Sequence, residues 1–256
     1  MPRRYDAQVF FDETLDVTAC DQSIKKLRKD GHRVLFLHVV MAAIVRTMSD
    51  YPKLNRFVAG KKVYARNHIA ISFAMKKSLS LDANETVVKV LFHQEDTLFD
   101  VIEKVNTVIK ENQVESHANK TDKFALFLKL LPSVLIRFVV FMAKVLDNHR
   151  FLPKWIIKLS PFHSSAFVTD LGSLGINPAF HHIYDFGTTS QFLAFGTKRK
   201  AENDHTKKLM TIKVVIDERI VDGYYYARGL KRLSRYIKDP NILITPPEKT
   251  QVDNEI

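Results

Sequence analysis

Three consecutive stretches near the C-terminus restrict the fold of this chain more than any others. Met210-Thr211-Ile212-Lys213-Val214-Val215-Ile216 reads as an apolar strand. Tyr224 to Leu233 reads as a helix. Only Asp217-Glu218-Arg219-Ile220-Val221-Asp222-Gly223 separates them. A buried strand that passes through a short charged turn into a helix calls for a domain in which helices pack on a sheet.

The rest of the chain repeats that mixture. Ala7 to Phe11, Lys61 to Tyr64, His68 to Ala74, Glu85 to Phe92, Ser165 to Asp170, Ser190 to Gly196 and Lys208 to Ile216 read as strands. A helix is predicted from Thr18 to about Lys29, closed by Asp30-Gly31. A second, from Phe36 to Met48, carries apolar residues at buried-face spacing and stops at Tyr51-Pro52. Leu98 to Asn112 reads as an amphipathic helix, and 112–123 as a loop. There is no internal repeat and no evident linker. The expectation is one domain over 1–240 and a polar, mobile tail over 241–256, marked by Pro246-Pro247.

One stretch departs from this pattern. Residues 124–159 are apolar with scattered cations, and Pro132 to Leu146 is apolar around much of a helix. Ser133, Arg137, Lys144 and Asn148 keep one polar stripe, and Pro153 to Leu159, with Trp155, would form a companion helix. A membrane span needs about 20 mostly uncharged residues, which Lys129, Arg137 and Lys144 interrupt. The segment reads either as packing between subunits or on the core, or as an interfacial basic amphipathic helix in contact with a membrane surface or a lipid-like acyl chain.

Charge and cysteine content narrow the setting. The formal net charge is +11, which suits phosphate-bearing ligands or anionic surfaces. The densest cluster, Lys198-Arg199-Lys200 with Lys207-Lys208, has no nucleic-acid-binding motif around it, so a nucleic-acid partner is not expected. A lone cysteine, Cys20, fits a structural role in a reducing, cytoplasmic compartment, and no secretory signal is read at the N-terminus.

Four blocks, in order, resemble the catalytic domain shared by chloramphenicol acetyltransferase and the acyltransferases of 2-oxo acid dehydrogenase complexes. They are Phe36-Leu37-His38-Val39-Val40-Met41-Ala42-Ala43 with Tyr51-Pro52-Lys53-Leu54-Asn55, then Asn67 to Ala74, then Phe167-Val168-Thr169-Asp170-Leu171-Gly172, then Asp217 to Gly223. The resemblance covers residues 7 to 240. It implies an α/β, two-layer α+β sandwich, with a mixed sheet covered by helices. It also implies a trimer with its site between subunits, and a stand-alone form without a lipoyl domain.

The last block resembles the His-x-x-x-Asp-Gly element whose histidine is the family's general base. Here Glu218 holds that position. The resemblance gives Asp222 a supporting role in the loop, Gly223 the tight turn, and Thr169 the hydroxyl that stabilises the oxyanion from a neighbouring subunit. A glutamate in water titrates near about 4.3 and a thiol near about 8.5, a gap of roughly 6 kcal/mol for proton transfer. Burial of Glu218 would narrow it. Otherwise Glu218 pairs with Arg219 or another basic residue and the site is inert. His181 and His182 lie where the resemblance borders the acyl pocket and are candidate substitute bases; His163 and His38 are weaker candidates. No metal-ligand spacing is present.

Two functions follow. One is an acyltransferase acting on coenzyme A, acyl-CoA or another pantetheine or lipoyl-type thioester, with no covalently held cofactor. The other is a catalytically inactive relative serving as a trimeric scaffold or ligand-binding module; beside both stands a membrane-surface protein using the basic apolar helix.

Overall fold

A computed structural model describes residues 1, 3–76, 85–114 and 132–256. In chain order its elements are β1 (Gln8–Asp16), α1 (Thr18–Lys29), α2 (Phe36–Asp50), β2 (Arg56–Ala59), β3 (Lys62–Ala65), β4 (Ile69–Lys76), β5 (Glu85–Phe92) and α3 (Leu98–Val114). There follow α4 (Ser133–Asn148), α5 (Lys154–Leu159), β6 (Ala166–Asp170), β7 (Gln191–Lys200), β8 (Lys208–Asp217) and α6 (Gly223–Lys238). The loop expected over 112–123 gives way to α3 as far as Val114; its remainder, and residues 124–131 of the apolar segment, lie outside the described residues.

Six strands form one sheet in the order β1-β8-β7-β6-β4-β5, and β2 and β3 form a separate hairpin. The central pairs β7–β6 and β6–β4 are parallel, and the outer pairs are antiparallel. The mixed α/β sandwich expected from the sequence is the observed architecture.

Strand period divides the sheet into two faces. Val168, Leu193, Phe195, Ile212, Val214 and Ile216 point into the main core, where α1, α2, α3 and α6 cover them. Helix α2 is buried through Val39–Val45, which explains its wide apolar surface in the sequence. The opposite face carries a smaller cluster, Phe167, Phe192 and Val215, covered by Ile183. Two glycines mark close approaches that a side chain would block. A Cβ on Gly172 would meet the Gly196 carbonyl at 2.5 Å, and one on Gly196 would meet Pro178 at 2.3 Å. The Leu171-Gly172 step is therefore fixed by its contact with β7.

The tail expected to be mobile is docked. Arg56 donates from Nε and Nη2 to the two carboxylate oxygens of Asp253, at 2.5 and 2.7 Å, and the Gln251 N–H reaches the Ser49 carbonyl. Polarity, which suggested a solvated tail, here reflects pairing with β2, a four-residue strand too short to be read from the sequence.

Candidate functional site

The β8–turn–α6 junction forms as read from the sequence. Its first consequence is Asp217, the last residue of β8. Asp217 continues the alternation of Lys213 and Val215 onto the face away from the helices, and it is fully buried. Arg219 folds back after the turn, and its Nε and Nη2 donate to Asp217 Oδ1 and Oδ2 at 2.7 and 2.6 Å. Arg4 adds a second cation, its Nε 3.7 Å from Asp217 Oδ2. Burial lowers the Arg4 guanidinium from its usual range, and Asp217 opposes that shift.

The expected Glu218–Arg219 pair is therefore not formed; Asp217 takes Arg219 instead. Glu218 itself is exposed in the single chain. Its backbone N–H donates to the Ala7 carbonyl at 2.9 Å, so the turn just before β1 pins the end of β8, while among the described residues nothing binds its carboxylate. Sequence reasoning missed the Arg4–Asp217–Arg219 cluster. The signal was available: Asp217 falls on the buried phase of β8, where a carboxylate requires a partner.

Asp222 is the N-cap of α6. It has extended backbone, and its Oδ1 accepts the Tyr225 N–H at 2.9 Å, satisfying one of the free donors of the first turn. It thus fixes the loop through a cap and not through an ion pair. The tight turn expected at Gly223 is not needed: the residue is already helical, and a Cβ there would meet nothing within 4 Å.

Thr169 lies on β6, on the same sheet face as Phe167. It pairs with Ala194 of β7, which pairs with Lys213 of β8. Thr169 is therefore two strands from β8 and level with a residue five positions before Glu218. At strand spacings this separates the two by roughly 19 Å. One copy of the chain does not bring them together.

His181 stacks on Phe192 with ring centroids 4.5 Å apart, its buried Nε2 has no hydrogen-bond partner among the described residues, and burial lowers its pKa. His182 is exposed and packs edge-on to Tyr184 at 5.0 Å. Neither contacts Glu218. His163 is buried, with Nε2 2.8 Å from Asp147 Oδ1 and Nδ1 2.8 Å from Ser160 Oγ. Since Asp147 Oδ2 also accepts the Gly187 N–H at 2.9 Å, this network ties α4 and α5 to the body. Among the described residues no group of three or more His, Cys, Asp or Glu is placed to hold a metal.

A half-open cleft of about 290 Å³ adjoins the junction. Arg3, Arg4, Lys61, Lys144 and Arg219 line it against two carboxylates, Asp147 and Asp185. Such a surplus of cations suits a phosphate-bearing ligand. The denser cluster in the sequence is partly neutralised: Lys198 and Lys208 both bind Asp21.

No protein-family model and no curated protein matches this sequence. Solved structures do. The cubic core of the pyruvate dehydrogenase multienzyme complex superposes with a TM-score of 0.61 at 14% identity, covering 92% of this chain and 83% of that one. The dihydrolipoamide acetyltransferase of Azotobacter vinelandii, studied for the catalytic roles of a serine, a histidine and an asparagine, gives 0.60 at 14% identity over 92% and 83%. A chloramphenicol acetyltransferase gives 0.57 at 11% identity over 92% and 90%. The chain has the fold of these acyltransferases.

Proposed function

We propose that this protein is an acyltransferase-like protein that takes an acyl thioester of coenzyme A, or of a pantetheine or lipoyl-type thiol, at a site between two copies of the chain. The observation that carries the proposal is the junction itself. On an acyltransferase fold, β8 ends in an exposed Glu218 held between a buried ion-pair cluster and a capped helix. The separation of roughly 19 Å from Thr169 supports a site assembled from two copies, with Glu218 of one facing Thr169 of the next. The cationic cleft beside Arg219 suits the phosphates of coenzyme A.

In this reading Glu218 accepts the proton of the attacking thiol, and the thiolate attacks the acyl carbonyl. The Thr169 hydroxyl donates to the oxygen that becomes negative. When the tetrahedral intermediate collapses, the carbon–sulfur bond to the departing thiol breaks, and Glu218 returns the proton to it. A neighbouring copy that covers Glu218 removes water and makes its carboxylate a stronger base.

Formation of free coenzyme A and S-acetyl-dihydrolipoamide from acetyl-CoA and dihydrolipoamide, followed by chromatography because the total thiol count does not change, tests this. Turnover is expected, with Glu218→Gln and Thr169→Ala each lowering kcat/KM by about 100-fold. If acyl-CoA does not bind at high micromolar concentration, the proposal is abandoned. Binding without transfer, combined with transfer by Glu218→His, would make the protein a trimeric scaffold or ligand-binding module that kept the fold.

A further inference from the structure

Helices α4 and α5 are attached to the body without being buried in it: neither contains a buried residue. Their exposed side chains are large and apolar. Val134 is 77% exposed, Phe138 59% and Phe141 61%, followed by Phe151 at 75% and Trp155 at 58%. At 100° per residue, Phe141, Val134, Val145, Phe138, Met142 and Leu135 form one arc about 120° wide. Arg137 and Lys144 flank that arc just beyond Phe141. The side turned toward the body carries Asp147, held by His163 and Gly187.

The charge on this face has one sign. Between residues 132 and 159 the cations are Arg137, Lys144, Arg150, Lys154 and Lys158, and the only acid is Asp147, whose two oxygens are bound inward. A face this apolar in a water-filled setting marks a contact. A second copy docked with this same face onto itself would set Arg137, Lys154 and Lys158 against their own counterparts. An anionic bilayer instead accepts the apolar arc among its acyl chains and the flanking cations among its headgroups. Among the described residues no helix is long and apolar enough to cross a membrane, so the contact lies in the plane of the surface.

We propose that α4 and α5 form a docking face for a phospholipid bilayer carrying anionic headgroups, with Phe138, Phe141 and Trp155 entering the interface. This inference is independent of acyl transfer. Trp155 is the chain's single tryptophan and reports directly on the contact.

The test is sedimentation of the full-length protein with phosphatidylcholine vesicles, with and without about 30 mol% phosphatidylserine. The Trp155 emission is recorded alongside. Sedimentation with the anionic vesicles and a blue shift are expected, weakened about tenfold at about 0.5 M salt. Phe138→Glu with Phe141→Glu is expected to lose at least about tenfold in partitioning and the blue shift. Arg137→Glu with Lys158→Glu, which leaves the apolar arc intact, is expected to lose the preference for phosphatidylserine. Failure of the wild type to bind either vesicle overturns the proposal, as does binding by the phenylalanine variant equal to wild type. A smaller oligomer of that variant in lipid-free buffer would assign the face to a second copy, and would also overturn it.

Discussion

His38 sits in the core with no exposed surface, and the Leu35 N–H donates to its Nδ1 at 3.2 Å. Burial lowers its pKa from 6.5 to about 4. The unfolded chain therefore takes up this proton as pH falls below 6.5, and the folded chain only near 4. The stability His38 contributes is complete above pH 6.5 and is lost as pH falls through that window, by roughly 3 kcal/mol. Urea titrations between pH 4 and 8 are expected to show this slope in the wild type. In His38→Gln the slope should be shallower by that amount; an unchanged acid limb would rule out the assignment. Residue-scale chemistry was only partly legible in the sequence. Asp222 at a helix start, and Cys20 as a buried residue whose thiol burial pushes up to about 12, follow from local rules. The choice of Asp217 over Glu218 as the partner of Arg219 does not. It depends on which strand phase faces the buried side, and that is fixed by tertiary pairing of β8 with β1 and β7.

Elements were legible where one period runs long enough to be read. The bounds of α1 and β5 agree with the pattern, α2 and α3 extend it by less than a turn at the C-terminal end, and α6 runs on past Leu233 for more than a turn, to Lys238. Gly31, at φ +90°, closes α1 as its position implied. What could not be read was β2, whose four residues carry no periodic signal, and the tail that packs near it. Arg56 and Asp253 are nearly buried, with side-chain exposures of 11% and 5%. Asp253→Ala leaves the Arg56 guanidinium without its main partner and is expected to cost about 2 kcal/mol. Thermal unfolding measures the loss. Carboxypeptidase digestion locates it: the wild-type tail should resist trimming, and the variant's should not. Equal digestion of both would mean that the pair does not hold the tail.

At the scale of the whole molecule, the sheet order sets what one copy can do. β6 and β8 are separated by β7, and β8 runs antiparallel to it, so the chain carries Thr169 and Glu218 at distant points of the sheet. The resemblance of motifs pointed to a shared site, but motif spacing carries no strand order, and the topology adds that one copy of the chain holds the two residues far apart. If the proposed site pairs Glu218 of one copy with Thr169 of another, two inactive variants must complement each other. A Thr169→Ala chain still supplies Glu218, and a Glu218→Gln chain still supplies Thr169. In oligomers assembled from equal amounts of both, each interface draws its two residues from different chains. About a quarter of the interfaces then regain an intact pair. Co-expression of differently tagged variants, purification through both tags and assay of thioester transfer are therefore expected to give a substantial fraction of wild-type activity, while each variant alone gives almost none. Mixing the purified variants without subunit exchange should restore nothing. If the doubly tagged oligomers are as inactive as their parents, the two residues do not meet across an interface, and the shared-site reading fails even on the acyltransferase fold.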